Sequence, residues 1–455
     1  MNTLDTVEGV ALLNNHIIHH LKFSSNKEKK NCVILFQNQG LQILIFLFYF
    51  LLFAWLITII PFFKKSGIGK WLLIILFAIK IVAGFAYAFY FSLPQNIGTA
   101  DTWKFYKSSL LETEWLLHNP LQFISDLFHS PYEQTSSFFS SNNSYWNDLK
   151  DNVIIKLMAV INVFTGKNYY TSIIVFNFLF LFGPVALYRI AQNFWDDKKM
   201  WLILPIFLLP SFLFWCSGTH KDGLIFSALL ISIYCFDKQI KAQRLLIKYS
   251  LLMAACFIAL FALRNVILFL LLPALFAWFV SETLHRYKWL CFTCFYAVGL
   301  IVFFYLPHLS SALNFPQYIV NKQTEFTALS GNSKVIVPAL QPTFISFAAF
   351  FPYAVDIVFF RPHILDIAGI NYLLSFLENS FLFLALVAWM LWHKPLKTIQ
   401  PILIFFFFFS LSVWLLCGYT VMFTGAVVRY KSVVTPLVLL FIMLTVNYER
   451  ILLRK

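Results

Sequence analysis

Charge is what this chain has least of. Only 12% of its 455 residues are Asp, Glu, Lys or Arg, about half of what a soluble globular domain carries, roughly 25%. The deficit excludes a soluble domain of ordinary make-up, since 60% of the residues are hydrophobic and the mean hydropathy is +0.75. Strict apolar/polar alternation is also missing from stretches such as "PILIFFFFFSLSVWLL", which excludes a transmembrane β-barrel. The chain has no run of five or more Lys/Arg and no nucleic-acid motif. Its net charge of +14 is therefore read as a membrane-orientation signal, and no nucleic-acid partner is expected.

Catalytic and metal signatures are equally sparse. There is no P-loop, dinucleotide fingerprint, GxSxG or HExxH, so ATP hydrolysis, NAD chemistry, serine hydrolysis and a zinc site have no support. His16, His19 and His20 fall in a polar tail, and His220, His308 and His363 are isolated from one another. Most of the seven cysteines lie inside apolar runs, where Cys acts as a small hydrophobe. Cys291-x-x-Cys294 has redox spacing without partner ligands, and reads as part of a helix. Residues 1–30 contain no apolar region followed by a small-residue cleavage site, so the first span is expected to act as its own insertion signal.

What is present is a series of long apolar runs. They predict an all-α polytopic membrane protein of about eleven membrane segments. The segments are read at 41–62, 71–92, 169–188, 200–217, 223–236, 249–263, 266–280, 289–306, 372–392, 400–422 and 432–446. Residues 1–40 read as a polar N-terminal tail and 41–455 as one membrane domain. If the spans alternate, Lys64, Lys65, Lys198, Lys199, Lys238, Lys241, Arg286, Lys288, Lys394, Lys397 and Arg450 share one side. That side is cytoplasmic by the positive-inside rule. The N-terminal lysines Lys22, Lys27, Lys29 and Lys30 disagree with this assignment. Two long loops, 93–168 and 307–371, fall on the opposite, extracytoplasmic side. The first is expected to form short helices on the membrane face. The second, with six prolines, is expected to be irregular and compact.

Two of the apolar runs are interrupted by charge. "GTHKDG" divides residues 200–236, and Arg264-Asn265 divides 249–280. The arms, about 17 and 14 residues and then about 15 each, would span roughly 21–25 Å, against about 30 Å of hydrocarbon. Both therefore read as short hairpins that start inside and stop below the outer surface. Their polar tips carry His220, Lys221, Asp222 and Arg264, which are tolerated there beside water, partners or an anionic ligand. The competing reading has Lys221 snorkelling to headgroups and pairing with Asp222.

Other charges belong to the same outer region. Arg429, Tyr430 and Lys431 open the last span, either as interfacial anchors or as ligand contacts. Asp101 follows the second span and reads as a helix N-cap, a catalytic carboxylate, or both. Glu112 would share its helical face but lie about 16 Å away, too far to share a metal ion. Lys80 is expected to snorkel inward, and Glu378 and Arg361 are weaker candidates for substrate contact. One carboxylate and several fixed cations are the equipment for displacing a phosphate leaving group: the cations stabilise the departing charge and Asp101 accepts a proton.

Many spans, an early Asp in the first outer loop and an "RYxxxxxP" start to the last span (Arg429, Tyr430, Pro436) resemble the GT-C superfamily of integral-membrane glycosyltransferases. "SGTHKDG" also resembles a pattern in bacterial envelope-polysaccharide membrane proteins, polymerases included. The resemblance is architectural over most of residues 70–455. It implies a bacterial inner-membrane enzyme that uses a polyprenyl-phosphate-linked sugar donor and a glycan, lipid or protein acceptor. It further implies Asp101 as base, Arg429 and Tyr430 as donor-phosphate contacts, and a divalent cation as the one cofactor to test for. Members of that family often carry two adjacent acids, but here Asp101 is followed by Thr102. The extra N-terminal span is a second departure. A polysaccharide polymerase or ligase using a polyprenyl-diphosphate-linked oligosaccharide is the near alternative. A transporter or flippase of an anionic lipid-linked glycan is the alternative from another class.

Overall fold

The computed structural model describes residues 26–94, 96, 101–129, 145–195, 199–310, 313–331, 333–367 and 369–452. These residues are almost wholly helical, and no β-strand forms among them beyond two isolated bridges, Lys334–Phe423 and His393–Val446. Sixteen helices frame the description. They are α1 (Asn26–Ile59), α2 (Lys70–Ser92), α3 (Asp101–His118), α4 (Tyr145–Thr165), α5 (Tyr169–Ala191), α6 (Ile203–Phe207), α7 (Pro210–Trp215) and α8 (Lys221–Ala242). Then come α9 (Ile247–Thr283), α10 (Lys288–Leu309), α11 (Phe315–Ala328), α12 (Phe344–Val355), α13 (Ile370–Trp392), α14 (Pro401–Thr420), α15 (Thr424–Ser432) and α16 (Thr435–Thr445).

Among the described residues, eight helical segments are long and apolar enough to cross a membrane, or nine if α15 and α16, bent by 61° to one another, form one span. The chain is therefore an integral multi-pass membrane protein. The helix of the first span starts at Asn26, inside the stretch read as a polar N-terminal tail. Residues 1–25, with His16, His19 and His20, lie outside the described residues.

α5 is the axis of the fold. Most of its side chains are buried, and it packs against α1, α2, α4 and α8. Aromatic rings fill the joint: Phe53 of α1 stacks on Phe178 at 4.4 Å, and Phe63 lies 4.5 Å from Phe182. α8 carries this core across to α9, which packs in turn on α14.

The two interrupted runs behave differently from one another. α9 is broken at Arg264, whose backbone (φ −159°, ψ 79°) is not helical. Tyr249, before the break, lies 6.3 Å from Tyr234, and Trp278, after it, lies 5.1 Å from Phe236. Both arms thus return to the same end of α8, while Arg264 sits at the other end beside Asp222. The second run is a hairpin with Arg264 at its tip, as the charge interruption implied. The first run is not a pair of equal short arms. Residues 199–215 form a 3₁₀ turn and then α6 and α7, of five and six residues. Pro210 at the start of α7 cannot donate to the preceding turn. Its partner α8, by contrast, has 22 residues, about 33 Å and enough to cross.

The outer loops are more ordered than their composition implied. The apolar side of α3 faces α4 and α5, where Phe105, Ile154, Met158 and Ile161 meet Phe176 and Phe180. Lys156 of α4 pairs with Glu112 at 2.9 Å and Asp126 at 3.1 Å. Glu112 therefore belongs to a structural ion pair. In the second loop, Asn314 and Thr343 cap α11 and α12 by accepting from Gln317 N and Ser346 N, as short polar residues do at helix starts.

Candidate functional site: the charged hairpin tips

The site grows from the turn between α7 and α8. Gly218 lies against the ring of Tyr87, where a Cβ would come within 2.3 Å, and a Cβ at Gly223 would come within 2.5 Å of Phe180. The two glycines let the turn sink into the core, and this close approach is the physical content of "SGTHKDG". The chain then enters α8 with Asp222 in its first turn, where the positive end of the helix dipole favours a carboxylate.

Asp222 is fully buried and works as a hub. Its Oδ1 accepts from Arg264 Nη2 at 2.9 Å, and its Oδ2 accepts from Arg429 Nε at 2.6 Å. His220 Nδ1 lies 3.2 Å from the same Oδ2, and Arg429 Nη2 approaches the imidazole at 2.5 Å from Nε2. Two guanidinium groups and an imidazole thus converge on one desolvated carboxylate, the arrangement a buried charge requires. The guanidinium of Arg264 lies 4.5 Å over the ring of Tyr430, and that of Arg429 lies 5.6 Å over Trp215, both within cation–π range.

Asp101, the first residue of α3, touches this hub from outside. Its Oδ2 is 3.5 Å from His220 Nε2 and 3.7 Å from Arg429 Nη1, and the side chain is 48% exposed. Burial pushes its carboxyl upward. The hydrogen bond and charge of His220, with the charges of Arg429 and Lys221, outweigh that push and hold it well below the usual carboxylate range. Thr102, the residue standing where a second acid was noted as missing, is fully buried. Its hydroxyl meets Tyr169 Oη at 2.8 Å and Thr219 Oγ1 at 3.0 Å. That knot ties the start of α3 to the turn before α8 and so positions Asp101.

Lys221 does not pair with Asp222. It reaches Asp151 of α4 at 3.1 Å. The snorkelling pair suggested by their adjacency is corrected here: residues 221 and 222 point to different partners because successive helical positions lie about 100° apart. Lys221 and Arg264 also form one wall of a cavity of about 280 Å³ whose other cations are Lys150 of α4 and Lys322 of α11. Lys322 pairs with Glu325 at 2.8 Å. Burial, with the nearby charges of Lys322, Lys221 and Arg264, pulls Lys150 down to about 8.

The structure does not bring Arg361 and Glu378 into the hub. Arg361 is held by Asp356 at 3.0 Å and Asp366 at 3.2 Å, with His363 on Asp356 at 2.8 Å. Glu378 is buried against α7, accepting from Ser211 N at 2.8 Å and Ser211 Oγ at 2.5 Å. Lys431 is buried too and donates to Val358 O and Asn379 Oδ1, so it is no interfacial anchor. Lys80 does not snorkel: its ammonium donates to Cys216 O and Ser217 Oγ, both at 3.0 Å, just beneath the turn.

Of the sequence-derived candidates, Asp101, His220, Asp222, Arg264, Arg429 and Tyr430 come together, with Lys221 beside them. Lys150, Lys322, Asp151 and Tyr169 were not singled out from the sequence, and Thr102 was noted only for not being an acid. They occupy polar helices of ordinary pattern or a helix start, and nothing local marks them.

No group of three or more His, Cys, Asp or Glu suited to a metal forms among the described residues. The hub carboxylates are faced by guanidinium and imidazole groups, a donor set that does not fit a divalent cation. Comparison of the chain with family models, with curated proteins and with solved structures found no match.

Proposed function

We propose that the chain is a membrane glycosyltransferase that moves a sugar, carried through phosphate on a polyprenyl chain, to an acceptor on the extracytoplasmic side of a bacterial inner membrane. The observation that carries this reading is the half-exposed Asp101 carboxylate set against Arg429 and His220, with Arg264 and Lys221 leading from that hub into a cationic cavity. The acceptor hydroxyl oxygen bonds to the anomeric carbon as the carbon–oxygen bond to phosphate breaks. The electron pair leaves on the phosphate, where fixed cations stabilise it, and the hydroxyl proton passes to Asp101. A carboxylate held this low stays charged at neutral pH. It orients the hydroxyl and takes the proton late, once bond formation has made that proton acidic. Asp222, fully buried and saturated by its partners, holds the guanidinium groups in place and does not touch the reacting atoms.

The arrangement favours this over transport. The charged groups cluster at one end of α8, whereas alternating access needs polar groups reachable from both faces.

The test is turnover of protein in nanodiscs with a lipid extract from its host, followed by mass spectrometry of polyprenyl species. Release of a polyprenyl phosphate or diphosphate, lost in Asp101→Asn, is the expected result. An active extract with no release would overturn the reading.

A further inference from the structure

The outer part of α2 brings one more polar side chain to the hub. Tyr87 is 1% exposed. Its ring packs against Gly218, Phe91, Phe214 and Trp215, so packing sets the direction of its hydroxyl. That hydroxyl makes no hydrogen bond among the described residues. The hydroxyl of Tyr169, by contrast, is satisfied by Thr102 and Thr219. A buried hydroxyl left unpaired is costly. Phenylalanine, used 55 times in this chain, would fill the same space without that cost.

The Tyr87 hydroxyl stands within reach of the hub charges. Arg429, Asp222 and Asp101 all act on it electrostatically, and it acts on Arg429 in turn. Asp222 is saturated by Arg264, Arg429 and His220. Arg429 can only donate. Asp101 is half-exposed and is the hub group open to an incoming molecule. Tyr87 thus adds a neutral, unoccupied O–H to a set of groups that are otherwise charged or already bonded.

An alcohol oxygen that attacks carbon needs three directions fixed at once. Its proton faces the base, one lone pair faces the carbon, and the other lone pair needs a donor. Cations suit phosphate oxygens, and on a nucleophile they would draw away the charge it must give up. A phenol O–H is a neutral and weaker donor. We infer that Tyr87 holds the acceptor: its Oη donates to the attacking hydroxyl oxygen while the proton of that hydroxyl points at Asp101. In the step itself the acceptor oxygen bonds to the anomeric carbon, and the carbon–oxygen bond to phosphate breaks with its electron pair leaving on the phosphate. The acceptor proton passes to Asp101, and Tyr87 keeps its own proton throughout. This rests on the transferase reading and gives it a second residue in contact with the acceptor.

The experiment compares full-length wild type with Tyr87→Phe in nanodiscs, using the host lipid extract and mass spectrometry of the released polyprenyl species. The variant keeps the ring and its packing and removes an unpaired buried hydroxyl, so its melting temperature should match or exceed wild type. Turnover should fall about tenfold, the worth of one hydrogen bond made to the attacking oxygen. Binding of farnesyl phosphate, used as a probe of the phosphate contacts and read as a rise in melting temperature, should be the same in both proteins. Turnover within about twofold of wild type would overturn the inference. A farnesyl phosphate response lost in Tyr87→Phe would put the hydroxyl on the phosphate and overturn it too. A melting temperature that drops together with turnover would make Tyr87 a packing residue only. The transferase reading fails separately: no release by wild type removes that reading and this inference with it, whereas equal release by wild type and Tyr87→Phe removes only the present inference.

Discussion

Arg429 Nε donates to Asp222 Oδ2 across 2.6 Å, although 207 positions separate the two residues in the chain. The contact joins the last bent segment to the first turn of α8, and Arg264 closes it from the α9 tip at 2.9 Å. Removing the shared carboxylate would strand two guanidinium groups in a largely dehydrated space. Asp222→Asn is therefore expected to cost about 3–5 kcal/mol, read as a large drop in melting temperature in detergent or nanodiscs. A loss below about 1 kcal/mol would show that the arginines find other partners and that the hub is not structural.

Asp101 should behave in the opposite way. It is half-exposed and sits at the rim of the same network, so Asp101→Asn is expected to lower the melting temperature far less than Asp222→Asn does. Turnover should fall about 10²–10⁴-fold, the usual worth of a general base. Because the hub holds its carboxyl below the usual carboxylate range, Asp101 keeps its charge as pH falls past the ordinary Asp value of about 3.9. The acid limb of kcat/KM due to Asp101 should therefore lie below about pH 4. A limb centred above about pH 5 would take the proton-accepting role away from Asp101.

Gly223 is tested by adding a methyl group. Its Cβ would meet three atoms of the Phe180 ring at 2.5–2.7 Å, and that ring is buried in the α3–α4–α5 cluster. Gly223→Ala is expected to destabilise by about 1–3 kcal/mol through overpacking, offset in part by up to about 1 kcal/mol of helix propensity. Loss of activity should accompany it, since Asp222 shares the displaced turn. A variant more stable than wild type would show that α8 can shift without harm to the core.

The tips of the two interrupted runs were legible in the sequence because charge inside an apolar run is costly and stands out. His220, Lys221, Asp222 and Arg264 were visible for that reason, as was the break in α9. Their pairing was not. Whether Asp222 takes Lys221 or Arg429 is decided by the packing of α15 on α7 and of α9 on α8, which no local pattern encodes. The same limit explains Arg361 and Glu378. A lone charge signals that a partner exists, but Ser211, Asp356 and Asp366 could be named only from the fold. Lys150 and Lys322 were hidden for the reverse reason: a lysine in a polar outer helix is ordinary, and only tertiary structure places the two beside one cavity. The count of membrane segments suffered where prolines broke residues 199–215 into pieces too short to recognise as one span.

Lys150 gives the cationic cavity its own pH signature. It lies on α4 and is faced by Lys221 on α8, Arg264 on α9 and Lys322 on α11, with Asp151 and Glu325 the nearby opposing charges. Burial and those like charges bring it down to about 8 from an ordinary 10.5. The sign follows from which form binds. The charged form attracts an anion, so the affinity of the cavity for inorganic pyrophosphate, used as a probe, should hold below pH 8 and decline as pH rises through it. For the free protein the linkage runs the other way. The fold disfavours the charged lysine, so that penalty on stability is largest at low pH and fades between about 8 and 10.5. Lys150→Arg keeps a charge that does not titrate in this range and should flatten the affinity profile while preserving binding at pH 7. An affinity that falls equally in wild type and Lys150→Arg would assign the titration to another group and remove Lys150 from the anion-binding wall.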